Sequence, residues 1–546
     1  MSEAKKITVI QTTRIGDILQ TLHAMKQLKT ENPELEFGLV ARKKFASGII
    51  DIINSVCSEV FLIDLKGAVK SGAKDLNKIK QYTTTFVERV NAFEAQAVVN
   101  LSFDSTSSYL STLIHAKSKL GIKRNEFDEL SIEDRWSQYV YSNVLESTSN
   151  SFNLVDIYRF MLGGKRKVHP PEEVTTKKQH NIIIHPFASH EKKMWTSHRW
   201  SEFIHSILRS DEDLTVYIVG GKEDKPNSLK ILENKSIHKY LGRVKNLTGE
   251  ASVSKVYELL KDTKLLVAHD SMVAHLASFH ATPSIILTLG TVRPFETTPF
   301  NRNVLNLYSN RGCFPCTLQE PCALRPCHND ISHQLVVKIT KLILKGEEVD
   351  FERLKRDSSP FVFNGLKAFV NEFDDTTLVP VELLNDNYKL SDLKRDFYKI
   401  IWNFLFLEKE VTTPNPVLSK LDQEELYRQT QGIQYCYDLY GHSMTFCKNI
   451  MDELEKKKPN VETIKSNLGK LNEIDQLLMI TKTQFSMLRP LIDYFYVAKS
   501  NAQGDDIDEI VKNNLLISYE ARNLTQVLNE LVDKTLGPVI SKHNNA

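Results

Sequence analysis

At 546 residues the chain exceeds what one compact core sustains, so two or three domains are expected. A hydrophobic share of 41% and a charged share of 25% are those of an ordinary globular protein, and a formal net charge of +2 argues against a general nucleic-acid or membrane-surface binder. Met1 to Lys6 is polar and leads directly into an apolar strand, and stretches such as Ile400–Leu407 fall far short of a membrane span, so a cytoplasmic protein without an integral membrane segment is expected.

In chain order, Ile7–Gln11 reads as a buried strand, and Asp17–Thr30 carries helical periodicity through Ile18, Leu22, Met25 and Leu28. Apolar runs at Phe37–Ala41, Glu59–Ile63 and Ala97–Leu101, separated by helical segments, predict βαβ units and a mostly parallel sheet. Pro170 and Pro171, followed by Lys177 and Lys178, mark a linker. A second α/β set follows, with strands at Asn181–His185, Leu214–Val219, Leu265–His269 and Ser284–Leu289 and helices at Ser252–Asp262 and Met272–Phe279.

Beyond about Gly346 the pattern becomes helical. Heptad-like seams run through Ile433, Cys436, Tyr440, Cys447 and Ile450, then Ile464, Leu471 and Leu478, then Leu524, Leu528 and Leu531, with breaks at Pro459 and Gly504. The expected division is α/β for 1–170 and again for 180–346, linker and helical segments for 347–420, and a helical module for 421–546.

Ligands of open α/β sheets bind beyond the carboxyl ends of the strands, so four loops matter most. The first is Thr12–Ile18. Gly16 suits a tight strand-to-helix turn, and Asp17 reads on pattern alone first as a helix N-terminal acid, with a general base for an attacking hydroxyl as the alternative. The second, His185–Trp195, offers Ser189 as a donor and Lys193 as a point charge for a diphosphate, although Lys192–Lys193 as a bare pair reads as a solvated face. The third, Val219–Asp224, pairs two glycines with Glu223 and Asp224, acids able to meet ribose hydroxyls. The fourth runs through Asp270, Ser271 and His275. There helix N-terminal amides suit an anion, and His275 reads alternatively as a core histidine.

In this order and spacing, the loops resemble the heptosyltransferases of glycosyltransferase family 9, which have the GT-B fold. The resemblance rests on Ile15-Gly16-Asp17, Lys193-Met194-Trp195, Asn246-Leu247-Thr248-Gly249, Asp270-Ser271-Met272-Val273-Ala274-His275-Leu276-Ala277 and Leu289-Gly290-Thr291. It covers about residues 7–345 and none of the helical tail. It implies two Rossmann-like domains facing across a cleft, and inverting transfer of a sugar, typically heptose from an ADP-activated donor, to an acceptor hydroxyl.

By the same resemblance Asp17 is the general base, Lys193 and Ser189 meet the donor phosphates, Glu223 lies near the nucleoside, and Asp270, Ser271 and His275 hold diphosphate and sugar. Catalysis then needs no metal cofactor, because Lys193 and backbone amides neutralise the leaving group. The acceptor is a glycan, a lipopolysaccharide core or a protein, with room for peripheral membrane contact. The family's glycine after Asp-Ser is Met272 here, which opens the alternative of a degenerate GT-B protein acting as an assembly or recognition subunit.

Cys313, Cys316, Cys322 and Cys327 place four thiols within fifteen residues, with Pro315, Pro321 and Pro326 stiffening the loop. Such a set predicts one structural zinc or iron, with His328 and His333 as spare ligands. A similar Cys-x-Pro-Cys stretch occurs in some heptosyltransferases, including iron-binding ones that modify proteins.

Overall fold

The computed structural model describes residues 5–64, 75–145, 149–164, 167–172, 178–317, 322–359, 362–384, 388–410 and 418–543, with side chains described as far as residue 537. Lys177 of the expected linker and Pro321 of the cysteine loop lie outside them. The chain forms two compact units. One gathers the described residues of Met1–Ser107, Leu113–Ser118 and Phe152–Asn387, the other those of Ser108–Thr112, Lys119–Ser151 and Tyr388–Ala546.

The first unit holds two sheets. Strands β1 (Lys6–Gln11), β2 (Glu36–Arg42), β3 (Glu59–Ile63), β4 (Ala97–Asn100) and β5 (Ser118–Gly121) lie in the order β3-β2-β1-β4-β5, and β5 leaves the first unit after Ser118. β1 pairs in parallel with β2 and β4, and β2 with β3. Val9, Ile10, Leu39, Val40, Val98 and Val99 are buried, as a sheet covered on both faces requires. In the second unit, β6 (Lys123–Arg124) and β7 (Leu130–Ser131) form a small antiparallel pair.

The second sheet contains β8 (Gln179–His185), β9 (Thr215–Ile218), β10 (Val244–Asn246), β11 (Thr263–His269), β12 (Ser284–Thr288), β13 (Val304–Ser309), β14 (Leu366–Phe373) and β15 (Leu378–Glu382). Their order is β10-β9-β8-β11-β12-β13-β14-β15, with β14 and β15 antiparallel. Counted from its own first strand, each sheet follows the Rossmann order 3-2-1-4-5, with the reversal beside β1 and β4 in one and beside β8 and β11 in the other. This is the α/β, GT-B-type architecture expected. The helix Ile15–Glu31 joins the halves: the His23 ring stacks on Phe279 at 3.7 Å, and its Nε2 lies 2.7 Å from Ser278 Oγ.

Two stretches differ from the expected division. Residues 347–420 hold the two strands β14 and β15 as well as helices. The buried carboxylate of Asp156 accepts from Leu378 N–H at 2.8 Å, and Arg159 donates to the Thr376 carbonyl, so the helix Leu154–Met161 fastens this hairpin to the first unit. Residues 119–151, expected with the first α/β half, pack with the helical tail. Trp136 stacks on Phe406 at 4.5 Å, Tyr139 meets Trp402 edge-on at 5.5 Å, and Arg135 pairs with Glu520 at 2.6 Å. The aromatic partners lie more than 250 positions away along the chain, beyond what local periodicity reveals.

The rest of the second unit is built from the helices Leu390–Leu407, Lys420–Leu454, Val461–Gln484, Arg489–Ser500 and Ile507–His543. Cys436, Tyr440, Cys447 and Ile450 are buried along one seam, and Leu524, Leu528 and Leu531 along another, which accounts for both cysteines as core residues. Among the described residues no helix is long and apolar enough to cross a membrane.

Candidate active site

The loop leaving β1 is held from below. Gln11 Oε1 accepts from Thr13 Oγ1 (2.6 Å) and Ser102 Oγ (3.0 Å), Thr12 N–H donates to Ser102 Oγ (2.7 Å), and Thr12 Oγ1 donates to Asp104 (2.6 Å). Asp17 then falls at the third helical position, where its Oδ2 accepts from Arg14 N–H at 3.0 Å. The helix-terminal role is therefore met by one oxygen, and the half-buried carboxylate remains partly open to solvent. Against the same turn lies the other half of the unit: a Cβ on Gly16 would stand 3.4 Å from the His275 ring. Tyr158, hydrogen-bonded to Gln11 and facing the charges of Asp17 and Glu296, is held as a neutral phenol by burial.

The loop leaving β8 is not the solvated face that a bare lysine pair implies. Lys192 is 7% exposed, and its ammonium donates to the Thr317 carbonyl at 2.9 Å. Lys193, with its side chain 17% exposed, points its ammonium to within 3.9 Å of Asp270 Oδ2. The one-turn helix Glu191–Lys193 is capped by His190 Nδ1, which accepts from Lys192 N–H at 3.1 Å. Gly290 fits tightly behind this turn, with φ of +66° and room for no Cβ, since one would lie 2.5 Å from the Lys192 carbonyl oxygen. Ser189 is exposed on the same loop.

Next to β8, the loop leaving β9 places Glu223 exposed and folded back over Gly221, while Asp224 accepts from Gly221 N–H at 2.9 Å. Gly249 N–H donates to the Gly220 carbonyl at 3.0 Å, which ties the Thr248-Gly249 segment to this loop. At the end of β11, Asp270 and Ser271 precede the helix Met272–Ser278. Ser271 Oγ is buried and has no hydrogen-bond partner among the described residues, so it is available to a ligand. Met272 opens that helix with helical backbone, so the missing glycine adds side-chain bulk without left-handed strain. His275 is buried, which lowers its basicity, while Asp270 and Asp17 partly restore it.

Asp17, Lys193, Asp270, Ser271 and His275 thus converge through the loops of β1, β8 and β11, with Ser189 and Glu223 on the loops of β8 and β9. Sequence reasoning overlooked Tyr158, and also His269, whose ring accepts from Trp195 N–H at 3.0 Å. Its place beside Asp270 was the available signal.

Three buried histidines have their basicity lowered chiefly by burial: His23 to about 3, His185 to about 4 and His269 to about 3. Unfolding restores an ordinary value near 6.5. The unfolded chain therefore takes up protons first, and the stability these groups contribute is complete above about pH 6.5 and is lost as pH falls toward 4. Each contributes a slope of about 1.4 kcal/mol per pH unit in that window. A thermal scan should show the midpoint falling between pH 6.5 and pH 5, and a flat midpoint would contradict it.

The cysteine loop packs on the lysine turn. Cys316 N–H donates to the Gly290 carbonyl at 3.0 Å, and His328 Nε2 lies 2.9 Å from the Lys192 carbonyl oxygen. Cys327 is buried, Cys316 and Cys322 are half-buried and Cys313 is exposed. Burial pushes the Cys327 thiol up against a hydrogen bond from Gly290, with Cys316 and Cys313 near enough to act on it. Among the described residues no three His, Cys, Asp or Glu side chains gather so as to hold a metal ion. As folded, the thiols do not fit a preformed tetrahedral centre.

Two Rossmann-type sheets, with charged loops at their switch points, define an α/β architecture of the doubly wound kind. The model for glycosyltransferase family 9 (heptosyltransferase) matches residues 49–328, just over half of the chain, and the chain belongs to that family: it is a glycosyltransferase. Asp17 precedes the matched range. Among solved structures, the E. coli heptosyltransferase WaaC with ADP is 17% identical and covers 62% of this chain and 99% of its own, with a TM-score of 0.46. A family 9 glycosyltransferase from Veillonella parvula DSM 2008 is 16% identical, covering 64% and 99%, with a TM-score of 0.48. The E. coli ADP-heptose lps heptosyltransferase II is 15% identical, covering 65% and 100%, with a TM-score of 0.45. No curated protein matches the chain.

Proposed function

We propose that this chain is an inverting glycosyltransferase that moves a sugar, heptose from an ADP-activated donor, to an acceptor hydroxyl on a glycan, a lipopolysaccharide core or a protein. The observation that supports the reading most is the Lys193–Asp270 pair at 3.9 Å, in the cleft where His275 abuts the Gly16–Asp17 turn. A lone carboxylate repels a diphosphate, so the division of labour follows from charge. Lys193 and Ser271 meet the phosphates, with Ser189 at the rim, Asp270 takes sugar hydroxyls, and Glu223 meets the nucleoside.

In the reaction, the acceptor oxygen forms a bond to the anomeric carbon as the bond from that carbon to the phosphate oxygen breaks. ADP leaves with the electron pair, and the acceptor proton passes to the Asp17 carboxylate. The Lys193 ammonium and the backbone amides after Asp270 stabilise the charge that grows on the leaving group, and displacement from one side inverts the anomeric centre. A thermal-shift panel of nucleotide sugars tests the donor. ADP-heptose should raise the midpoint more than UDP- or GDP-sugars do, and an equal or larger shift with another donor removes the ADP-heptose assignment.

A separate proposal concerns Cys313, Cys316, Cys322 and Cys327: that they take up one structural zinc or iron. Their spacing supports it, and the thiols would have to draw together to do so. Elemental analysis of protein prepared under reducing conditions should give about one metal per chain, lost on Cys313→Ser with Cys316→Ser. Metal-free protein of unchanged stability removes this proposal and leaves the donor reading intact.

A further inference from the structure

Lys193 acts on a donor only if its turn is fixed, because a flexible lysine presents its charge over a wide volume. One constraint on that turn comes from a side chain with no part in the chemistry above. His269 ends β11, is fully buried, and accepts from Trp195 N–H at Nε2, 3.0 Å away. With Nε2 accepting, the proton sits on Nδ1, which donates to the Leu287 carbonyl on β12 at 3.2 Å. Only the neutral ring in this one tautomer makes both bonds. The rings of Trp195 and Trp200 stand edge-on to it, at 6.4 Å and 82° and at 5.4 Å and 87°, so aromatic rings flank the imidazole.

The covalent path is short. Trp195 is two residues from Lys193, and His269 is bonded directly to Asp270, so this hydrogen bond closes a small ring that ends on the two charged groups 3.9 Å apart. An apolar residue in place of His269 would leave the Trp195 N–H buried without a partner. The Lys192 side of the turn is held separately, through His328 and Thr317, so losing the latch loosens the turn without releasing it.

We propose that His269 is a positioning residue for the donor site, locking the Lys193–Trp195 turn so that the Lys193 ammonium is presented beside Asp270. This rests on the reading of Lys193 as the donor-phosphate ligand.

Calorimetry with ADP on the full chain tests it, with the variants His269→Phe, His269→Gln, Lys193→Ala and His269→Phe with Lys193→Ala. His269→Phe fills the space but accepts no hydrogen bond, and should weaken ADP binding about tenfold. His269→Gln can still accept from Trp195 N–H and should stay within about threefold of the wild type. The double variant should bind no more weakly than Lys193→Ala alone, because a positioning residue has nothing left to position.

Wild-type affinity in folded His269→Phe overturns the proposal. So does a double variant whose loss is the product of the two single losses, which would show that His269 acts independently of Lys193. If His269→Phe does not fold, His269→Leu against His269→Gln supplies the same contrast, read in the same way. Unchanged ADP binding in Lys193→Ala removes the donor reading itself, and this inference with it.

Discussion

Asp17→Asn is expected to reduce sugar transfer by about 10²–10⁴-fold, the usual cost of removing a general base, while donor affinity stays close to that of the wild type. Asparagine is the informative substitution. Its side-chain oxygen can still accept from Arg14 N–H, so the start of the helix Ile15–Glu31 survives and the loss reports proton transfer alone. The carboxylate also acts on His275, so the variant should shift the pH dependence of the residual rate as well as its size. Initial rates with saturating donor, beside calorimetry with ADP, separate the two quantities. Near-normal turnover would mean that another group accepts the proton.

Lys193→Ala is expected to weaken donor binding by about 10–100-fold, the worth of one charge-assisted contact to phosphate, and to lower the rate further. Two effects combine in it. The ammonium is lost, and Asp270 is left beside the phosphates without the cation 3.9 Å away that now offsets it. Lys193→Arg should not restore the wild type, because a planar guanidinium presents its charge at a different reach and angle. Lys193→Ala with Asp270→Asn should recover part of the binding lost by the single variant, through removal of the unpaired carboxylate. Equal donor affinity in wild type and Lys193→Ala would place the phosphates elsewhere in the cleft.

Much of this site is legible in the residues because its chemistry is local. Asp270 follows directly after an apolar strand, Asp17 and Lys193 lie in the loop-to-helix segments that leave two others, and the Rossmann order brings the ends of β1, β8 and β11 to switch points. What stayed hidden depends on partners far away along the chain. In β13 and β14 the apolar runs are broken by Asn306 and Asn371. Only the fold shows why these amides are buried: Asn306 donates to Thr298 Oγ1 at 2.9 Å, and Asn371 accepts from the same hydroxyl at 3.0 Å and donates to the Pro299 and Asn301 carbonyls.

Residues 119–151 read as one more α/β stretch, until Trp136 and Tyr139 meet Phe406 and Trp402. Their place changes how the tail can be examined. A chain ending near Gly346 would strip β14 and β15 from the second sheet and deprive 119–151 of their aromatic partners, so such a truncation reports on folding as much as on function. Lys192–Lys193 illustrates the reverse error. Charge pairs are usually solvated, and nothing local to these two signals the Thr317 carbonyl or Asp270.

The most direct measurement is release of ADP from ADP-heptose by the purified full-length protein in the presence of EDTA, with and without a heptose-free lipopolysaccharide core as acceptor. The expected result is ADP release that EDTA does not abolish, that the acceptor accelerates, and that falls at least about a hundredfold in Asp17→Asn. ADP release by the folded protein at the same rate in Asp17→Asn as in the wild type would contradict an ADP-heptose transferase with Asp17 as its base.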